Sequence, residues 1–235
     1  MLVLLHGLGE TKSEALGIRA WADRYGLCDA HARLRHPPVR RVLTDAVYLT
    51  DARLAELERE LARHPFRGLA VACPYTPNVF KAGPTQAVLD RYAAWLVDRL
   101  LPALTRELGV PSVNVGLDGV SLGGYVSLEV FLRRPRAFSS VGSLQGAFSA
   151  ASAEAYAARI ERAFAEYGPR PLRIATSSWD PGKAASERLV ELLAKRDVKA
   201  TLSVPPGPHD QRFLREAGSL ELLLWHDRTL PEAPA

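Results

Sequence analysis

The stretch that most constrains this chain covers residues 113–124 and reads VNVGLDGVSLGG, with Ser121 between Gly119 and Gly123. Its pattern is typical of a buried strand that turns sharply into a helix. A serine at the tip of such a turn needs neighbours without a Cβ atom, because the two arms of the turn must pass closely. That geometry exposes the Ser121 hydroxyl. It also directs the first N–H groups of the helix, above all that of Leu122, towards whatever the hydroxyl attacks.

The pattern Gly-x-Ser-x-Gly is short, so its flanks must fit a strand and a helix before it indicates more than a turn. Residues 113–117 before it have a strand-like composition, and residues 125–134 after it carry apolar side chains at helical spacing until Pro135 ends the segment. Both flanks fit. We therefore interpret Ser121 as a candidate nucleophile, with a purely structural turn as the alternative.

Strand-like and helix-like patterns alternate along the whole chain. This alternation predicts βαβ units and hence a mostly parallel sheet of about six strands. Residues 28–68 are the least regular, and we expect one domain over 1–235 with a cap or an insertion there. The tail 231–235 is expected to be loose. We predict strands at 2–5, 69–74, from 113 to the serine turn, 138–144, 171–176 and 198–204, and helices at 13–25, 51–64, 86–108, 125–134, 151–167, 183–196 and 210–225.

Composition narrows the function classes. The net charge of +4 is scattered along the chain, without the basic, aromatic-rich blocks of a nucleic-acid groove, so we expect no nucleic-acid partner. Cys28 and Cys73 are far apart in the sequence and predict neither a disulfide framework nor a zinc site. The N-terminal apolar run 2–5 is too short for a signal peptide or a membrane span. We therefore expect a cytoplasmic protein without a membrane partner.

Three sequence segments together resemble the α/β-hydrolase fold, and more narrowly the esterase D-like group of esterases. They are GVSLGG at 119–124, the helix end LLPAL at 100–104 and RRPRAF at 133–138. The resemblance covers about 2–230, is strongest over 69–211 and weakest over 28–68. It implies a three-layer α/β sandwich that lacks the usual N-terminal strands of the family, and a serine esterase activity. Many members of the group carry Ser-Gly where this chain has Gln145-Gly146.

The family's HG-containing loop corresponds here to His6-Gly7-Leu8, directly after the first strand. The resemblance implies that the Leu8 N–H is the second oxyanion donor, beside that of Leu122, and that Gly7 allows a close backbone approach. His6 is expected to be a structural hydrogen-bonding residue and not a base. Because the family's first strands are missing, the N-terminal edge of the sheet is a candidate contact for a homo-oligomer.

A serine hydroxyl attacks at neutral pH only if a base removes its proton, so the chain must supply a histidine and an orienting carboxylate. In the resembled fold these follow in the order Ser, Asp or Glu, His. Only His209 and His226 follow Ser121. His209 comes just after a predicted strand in a Pro/Gly-rich loop, whereas His226 lies far along the terminal helical segment. We predict His209 as the base.

Asp180 follows the predicted strand 171–176 by a few residues, at the edge where ligands of parallel sheets bind, and we predict it as the orienting acid. The resemblance also indicates Asp180. Asp197 precedes the last strand and so belongs to the opposite edge. Asp210 is adjacent to His209, and neighbouring side chains generally point in different directions.

These residues predict a serine hydrolase that cleaves carboxylic esters of small molecules through an acyl-enzyme intermediate. Acyl transfer to an alcohol, peptidase activity with the same residues, and a non-catalytic binding role remain alternatives. No metal-ligand cluster, dinucleotide fingerprint or phosphate loop is recognisable, and we expect no cofactor and no metal.

Overall fold

A computed structural model of the chain describes residues 1–109 and 114–231. Its centre is a six-stranded sheet in the order β2-β1-β3-β4-β5-β6, and every neighbouring pair is parallel. The strands are β1 (Leu2–Leu5), β2 (Val71–Ala72), β3 (Gly116–Gly119), β4 (Ser140–Leu144), β5 (Leu172–Ala175) and β6 (Thr201–Ser203). The expected parallel sheet of about six strands, flanked by helices, is thus confirmed.

Helices connect the strands and cover both faces of the sheet. Short π-helical segments join or extend several of them, at Ala20–Arg24, Leu96–Leu100 and Leu214–Gly218. Short 3-10 helices lie at Leu8–Glu10, Pro135–Ala137 and Ala150–Ser152. The α-helices are α1 (Glu14–Arg19), α2 (Leu27–Arg35), α3 (Asp51–Arg63), α4 (Thr85–Trp95), α5 (Leu101–Leu108), α6 (Leu122–Arg133), α7 (Ala153–Tyr167), α8 (Lys183–Ala194), α9 (Gln211–Phe213) and α10 (Ser219–Thr229).

Each predicted strand and helix has a counterpart in the structure, although several bounds differ. Helix α2 was not expected, because it lies in the irregular region 28–68. The predicted strands 69–74 and 198–204 are reduced to the two residues of β2 and the three residues of β6. Val113, with which the nucleophile strand was expected to begin, lies outside the described residues, as does the tail after Pro231.

Strand β1 lies inside the sheet and not at its edge. Leu2 pairs with Val71 of β2 on one side and with Gly116 of β3 on the other. The sheet edge next to the N-terminal strand is therefore formed by β2, which has only two residues. A subunit contact through this edge stays a prediction.

Two hydrophobic clusters, one on each face of the sheet, form the core. Alternating residues of β1 illustrate the division, because successive side chains of a strand point to opposite faces. Val3 and Leu5 pack with α4 to α8, whereas Leu2 and Leu4 pack with α2, α3, α9 and α10. Residues of the region 28–68, including Leu34 and Leu57, are buried in the second cluster. No helix among the described residues has the length and apolar character needed to cross a bilayer.

Candidate active site

Ser121 lies at a strained turn between β3 and α6. Its backbone has φ 57° and ψ −116°, outside the helical and extended regions, and this conformation is uncommon for a residue other than glycine. A Cβ atom at Gly123 would overlap the carbonyl oxygen of Leu5, and one at Gly119 would lie 2.5 Å from the backbone of Gly123. The two glycines therefore allow β1, β3 and α6 to approach closely around the serine, as their positions in the sequence predicted.

A cavity of about 480 Å³ opens at the carboxyl edge of the sheet, beside Ser121. Its wall comes from loops that follow different strands, which is the usual place of a ligand site in an open parallel sheet. Leu8 follows β1, Ser121 follows β3, Gln145 follows β4 and His209 follows β6. The wall includes Leu8, Glu10, Tyr25, Ser121, Gln145 and His209.

His209 and Asp180 are hydrogen-bonded to each other, with 2.9 Å between His209 Nδ1 and Asp180 Oδ1. Two further groups hold the Asp180 carboxylate: Thr176 Oγ1 donates to Oδ2 at 2.7 Å, and the Gly182 N–H donates to Oδ1 at 2.9 Å. Burial raises the pKa of Asp180, but the hydrogen bonds from His209, Thr176 and Gly182 outweigh it and hold the pKa below its ordinary value. Asp180 is therefore an ionised, fixed partner for the imidazole.

The competing aspartates have other positions. Asp210 caps α9, because its Oδ1 accepts a hydrogen bond from the Phe213 N–H at 2.8 Å. Asp197 is exposed in the turn between α8 and β6, at the opposite edge of the sheet from His209.

The two predicted oxyanion donors lie at the starts of helical segments. Leu8 begins a 3-10 helix and Leu122 begins α6, so neither N–H has an acceptor within its own helix. Leu8 lines the cavity, while the Leu122 side chain is buried in the core and its N–H directly follows Ser121. The Gly7 N–H, in contrast, donates to Tyr25 Oη at 3.1 Å.

Tyr25 and Glu10 belong to the cavity wall although sequence reasoning did not indicate them. The Tyr25 hydroxyl donates to Glu10 Oε2 and accepts from Gly7, so it fixes the loop after β1. Burial, followed by the hydrogen bond to Glu10, raises the pKa of Tyr25 and keeps its hydroxyl protonated. These residues are fifteen positions apart in the chain, and no local pattern connects them.

His6 is buried and bonded to structural groups, as its sequence position predicted. Its Nδ1 lies 2.9 Å from the Gly7 carbonyl oxygen, and its Nε2 accepts from the Thr76 N–H at 2.9 Å. Because a carbonyl only accepts, Nδ1 carries the proton. Because Nε2 accepts from Thr76, it carries none, and the ring is neutral. Burial lowers the pKa of His6 and favours the same neutral state.

His226 belongs to α10 and its side chain is fully buried against the sheet. It is not part of the cavity wall. Its Nε2 is 3.1 Å from Asp118 Oδ2, and its Nδ1 is 2.9 Å from Ser140 Oγ. Arg173 also contacts Asp118, at 3.4 Å. In residues 1–109 and 114–231, no three His, Cys, Asp or Glu side chains group as metal ligands.

Solved structures confirm the fold. One is a ferulic acid esterase, with a TM-score of 0.65 and 14% identity, covering 97% of this chain and 85% of that chain. A second is the feruloyl esterase module from Clostridium thermocellum complexed with sinapinate, with a TM-score of 0.65 and 15% identity over 100% and 79% of the two chains. A third is the S-formylglutathione hydrolase FrmB from Staphylococcus aureus, with a TM-score of 0.59 and 16% identity over 96% and 80%.

Sequence comparison identifies the family. No curated protein matches the chain significantly. A family model described as "Putative esterase" matches residues 73–217, which is more than half of the 235 residues and includes Ser121, Asp180 and His209. The chain therefore belongs to this esterase family, as a carboxylic ester hydrolase with an α/β-hydrolase fold.

Proposed function

We propose that this serine hydrolase cleaves carboxylic esters through an acyl-enzyme intermediate, with Ser121 as nucleophile, His209 as base and Asp180 as orienting acid. The observation that carries the proposal is the 2.9 Å contact between His209 and Asp180, with His209 and Ser121 in the wall of one cavity. Because Nδ1 faces Asp180, Nε2 is the nitrogen left to accept the Ser121 proton.

In the first half of the reaction, Ser121 Oγ attacks the ester carbonyl carbon while His209 Nε2 takes the hydroxyl proton. The carbonyl oxygen becomes an oxyanion, which the N–H groups of Leu8 and Leu122 stabilise. When the tetrahedral intermediate collapses, the C–O bond to the alcohol breaks and His209 returns the proton to the leaving oxygen. Ser121 then carries the acyl group as an ester.

In the second half, a water molecule takes the place of the alcohol. His209 accepts a proton from the water, the hydroxide attacks the acyl carbon, and the carboxylic acid leaves as Ser121 regains its proton. Asp180 stays ionised throughout and stabilises the imidazolium. Two of the similar structures are named as ferulic acid or feruloyl esterases, so esters of aromatic carboxylic acids are suitable substrates to test.

A comparison of wild type with Ser121→Ala and His209→Ala tests this mechanism. For p-nitrophenyl esters of several acyl lengths, kcat should fall by up to about 10⁶-fold in either variant, because the triad acts as a unit. A fluorophosphonate probe should label wild type but not Ser121→Ala. The control is Ser149→Ala, which removes an exposed serine outside the cavity. A Ser121→Ala protein within tenfold of wild type would contradict the mechanism.

A further inference from the structure

The Gln145 side chain connects the two loops that carry the proposed acid and base. Its Nε2 donates to Ser177 Oγ at 2.7 Å and to the Pro208 carbonyl oxygen at 2.9 Å. Ser177 Oγ also donates to Pro208 O, at 3.2 Å. Ser177 is three residues before Asp180, and Pro208 directly precedes His209. One amide therefore links the loop after β5 to the loop after β6.

The orientation of this amide follows from its partners. A proline carbonyl can only accept a hydrogen bond, so the NH₂ group of Gln145 must face Pro208. The amide oxygen Oε1 then faces the other way, where it is buried and has no hydrogen-bond partner among the described residues. The side chain thus makes its two donor contacts and leaves its acceptor unsatisfied.

Gln145 combines two unfavourable features. Its φ of 49° lies in the left-handed region, which residues other than glycine and asparagine rarely adopt, and its amide oxygen is buried without a partner. Such departures from local preference tend to occur at functional sites, where the surrounding structure keeps them in place. Gln145 lies in the wall of the cavity that also contains Ser121 and His209.

The sheet itself does not require a glutamine at this position. The Gln145 N–H donates to the Ala175 carbonyl oxygen at 2.6 Å, and any residue other than proline would keep this backbone bond. The bonds that depend on the side chain are those to Ser177 and Pro208. The amide group of Gln145 therefore joins these two loops and is not needed for the sheet.

We propose that Gln145 is a positioning residue that holds the Asp180 loop and the His209 loop at the separation needed for catalysis. The inference rests on the proposed triad. His209 must face Asp180 with Nδ1 and Ser121 with Nε2 at the same time, and the three residues follow three different strands. A displacement of about 1 Å in such a site can lower the rate by about 100-fold. The amide of Gln145, directly after β4, limits that displacement.

Gln145→Met tests the role, because methionine has a similar length and no group that can donate to Pro208. We expect kcat for a p-nitrophenyl ester to fall about 10- to 100-fold while KM changes less than threefold. The rate of fluorophosphonate labelling should fall by a similar factor, since it reports the reactivity of Ser121. The matched control is Gln86→Met, an exposed glutamine on α4 that bonds to Arg133, which should keep wild-type kcat.

A double-mutant cycle of Gln145→Met with Ser177→Ala distinguishes a role of the hydrogen bonds among Gln145, Ser177 and Pro208 from a general effect on stability. Ser177→Ala alone should lower kcat about threefold to tenfold, and the double variant should lose clearly less than the product of the two single losses, because both changes remove one network. Melting temperatures measured in parallel identify losses caused by unfolding. If Gln145→Met does not fold, Ser177→Ala alone decides, and an unchanged kcat would refute the inference.

The inference would be overturned if kcat of Gln145→Met stayed within twofold of wild type. It would also be overturned if the kcat loss of the double variant equalled the product of the two single losses, or if the loss of activity followed the unfolded fraction. Failure of the proposed triad gives a different result, because wild type itself would then be neither labelled nor active on esters.

Discussion

Asp180 accepts hydrogen bonds from three groups, and only one of them is the proposed base. Thr176 and Gly182 hold the carboxylate in place independently of His209. The site therefore offers His209 a fixed acceptor instead of relying on the two side chains to find each other. A buried carboxylate that is satisfied in this way stays ionised and favours the imidazole tautomer with its proton on Nδ1.

Asp180→Asn should preserve the fold and lower kcat by about 10⁴-fold, the loss known for the corresponding change in the serine-protease triad. The amide can donate to His209 Nδ1 and so stabilise the wrong tautomer. Steady-state kinetics of the purified variant measures the effect, with melting temperatures to exclude unfolding.

The matched control is Asp210→Asn, because Asp210 is adjacent to His209 and lines the same cavity. Asparagine also caps helices well, so this change should cost less than tenfold in kcat and little stability. A larger loss for Asp210→Asn than for Asp180→Asn would reverse the assignment of the acid.

At the scale of the secondary-structure elements, the serine turn depends on how closely α6 approaches β1. The backbones of Gly119, Gly123 and Leu5 meet with no space for a side chain. The N–H of Val120 donates to Leu5 O at 3.1 Å and that of Ser121 to Leu144 O at 2.9 Å. The strained serine is thus held by neighbouring strands on both sides.

Gly123→Ala should therefore destabilise the whole protein, because its methyl group would overlap backbone that cannot move independently. Overpacking of this kind costs about 1–3 kcal/mol, and the overlap of the added Cβ with Leu5 O indicates a value near the upper limit, about 3 kcal/mol. For a chain of this length, that corresponds to a melting temperature lowered by at least about 6 °C. Gly9→Ala is the control, since a Cβ there meets nothing within 4 Å, and it should melt within about 2 °C of wild type. Equal melting temperatures for the two variants would contradict this description of the turn.

Most of the elements could be predicted because their patterns are local. The alternation of apolar strands and amphipathic helices predicted the parallel sheet, and the strand-end positions of Ser121, Asp180 and His209 placed them at one edge. Helix α2 could not be predicted in the same way. Its buried residues are only Leu27, Ala30 and Leu34, in a segment otherwise rich in arginine and histidine.

The rest of the site could not be predicted because it depends on contacts between distant residues. Gln145 bonds to Pro208, which lies 63 positions away, and Tyr25 bonds to a loop that precedes it by 15 or more. Neither residue has a recognisable motif. For Gln145, the departure from the Ser-Gly of the resembled group was the one available signal.

At the scale of the whole molecule, two histidines outside the cavity wall are buried and hydrogen-bonded. His6 lies in the loop after β1, and His226 on α10 bonds to Asp118 of β3. Burial lowers the pKa of both histidines, and for His226 it outweighs the attraction of Asp118, while Arg173 opposes a further positive charge. Both rings are thus kept neutral by the fold.

Stability should consequently fall with acidification below about pH 6.5, where unfolded histidines bind protons that the folded protein excludes. The unfolded state then holds more protons, so the free energy of unfolding decreases by at most about 1.4 kcal/mol per pH unit for each histidine. Urea titrations at pH 7.5, 6.5 and 5.5 measure this slope. His226→Asn should reduce the slope of the unfolding free energy against pH, even if it lowers stability at every pH. His36→Gln changes an exposed side chain and serves as control. An unchanged slope in His226→Asn would contradict the argument.

The order of β1, Ser121, His209 and His226 along the chain has a consequence for synthesis. A ribosome adds about 5–20 residues per second, starting from the N-terminal end. The nascent chain therefore makes β1, which lies beside the edge strand β2, before the strand that leads to Ser121. The proposed base His209 and the partner of Asp118, His226, emerge only after Ser121. Under the proposed mechanism, an unfinished chain carries its nucleophile without the means to activate it, and so stays inert towards the esters of the cell that makes it.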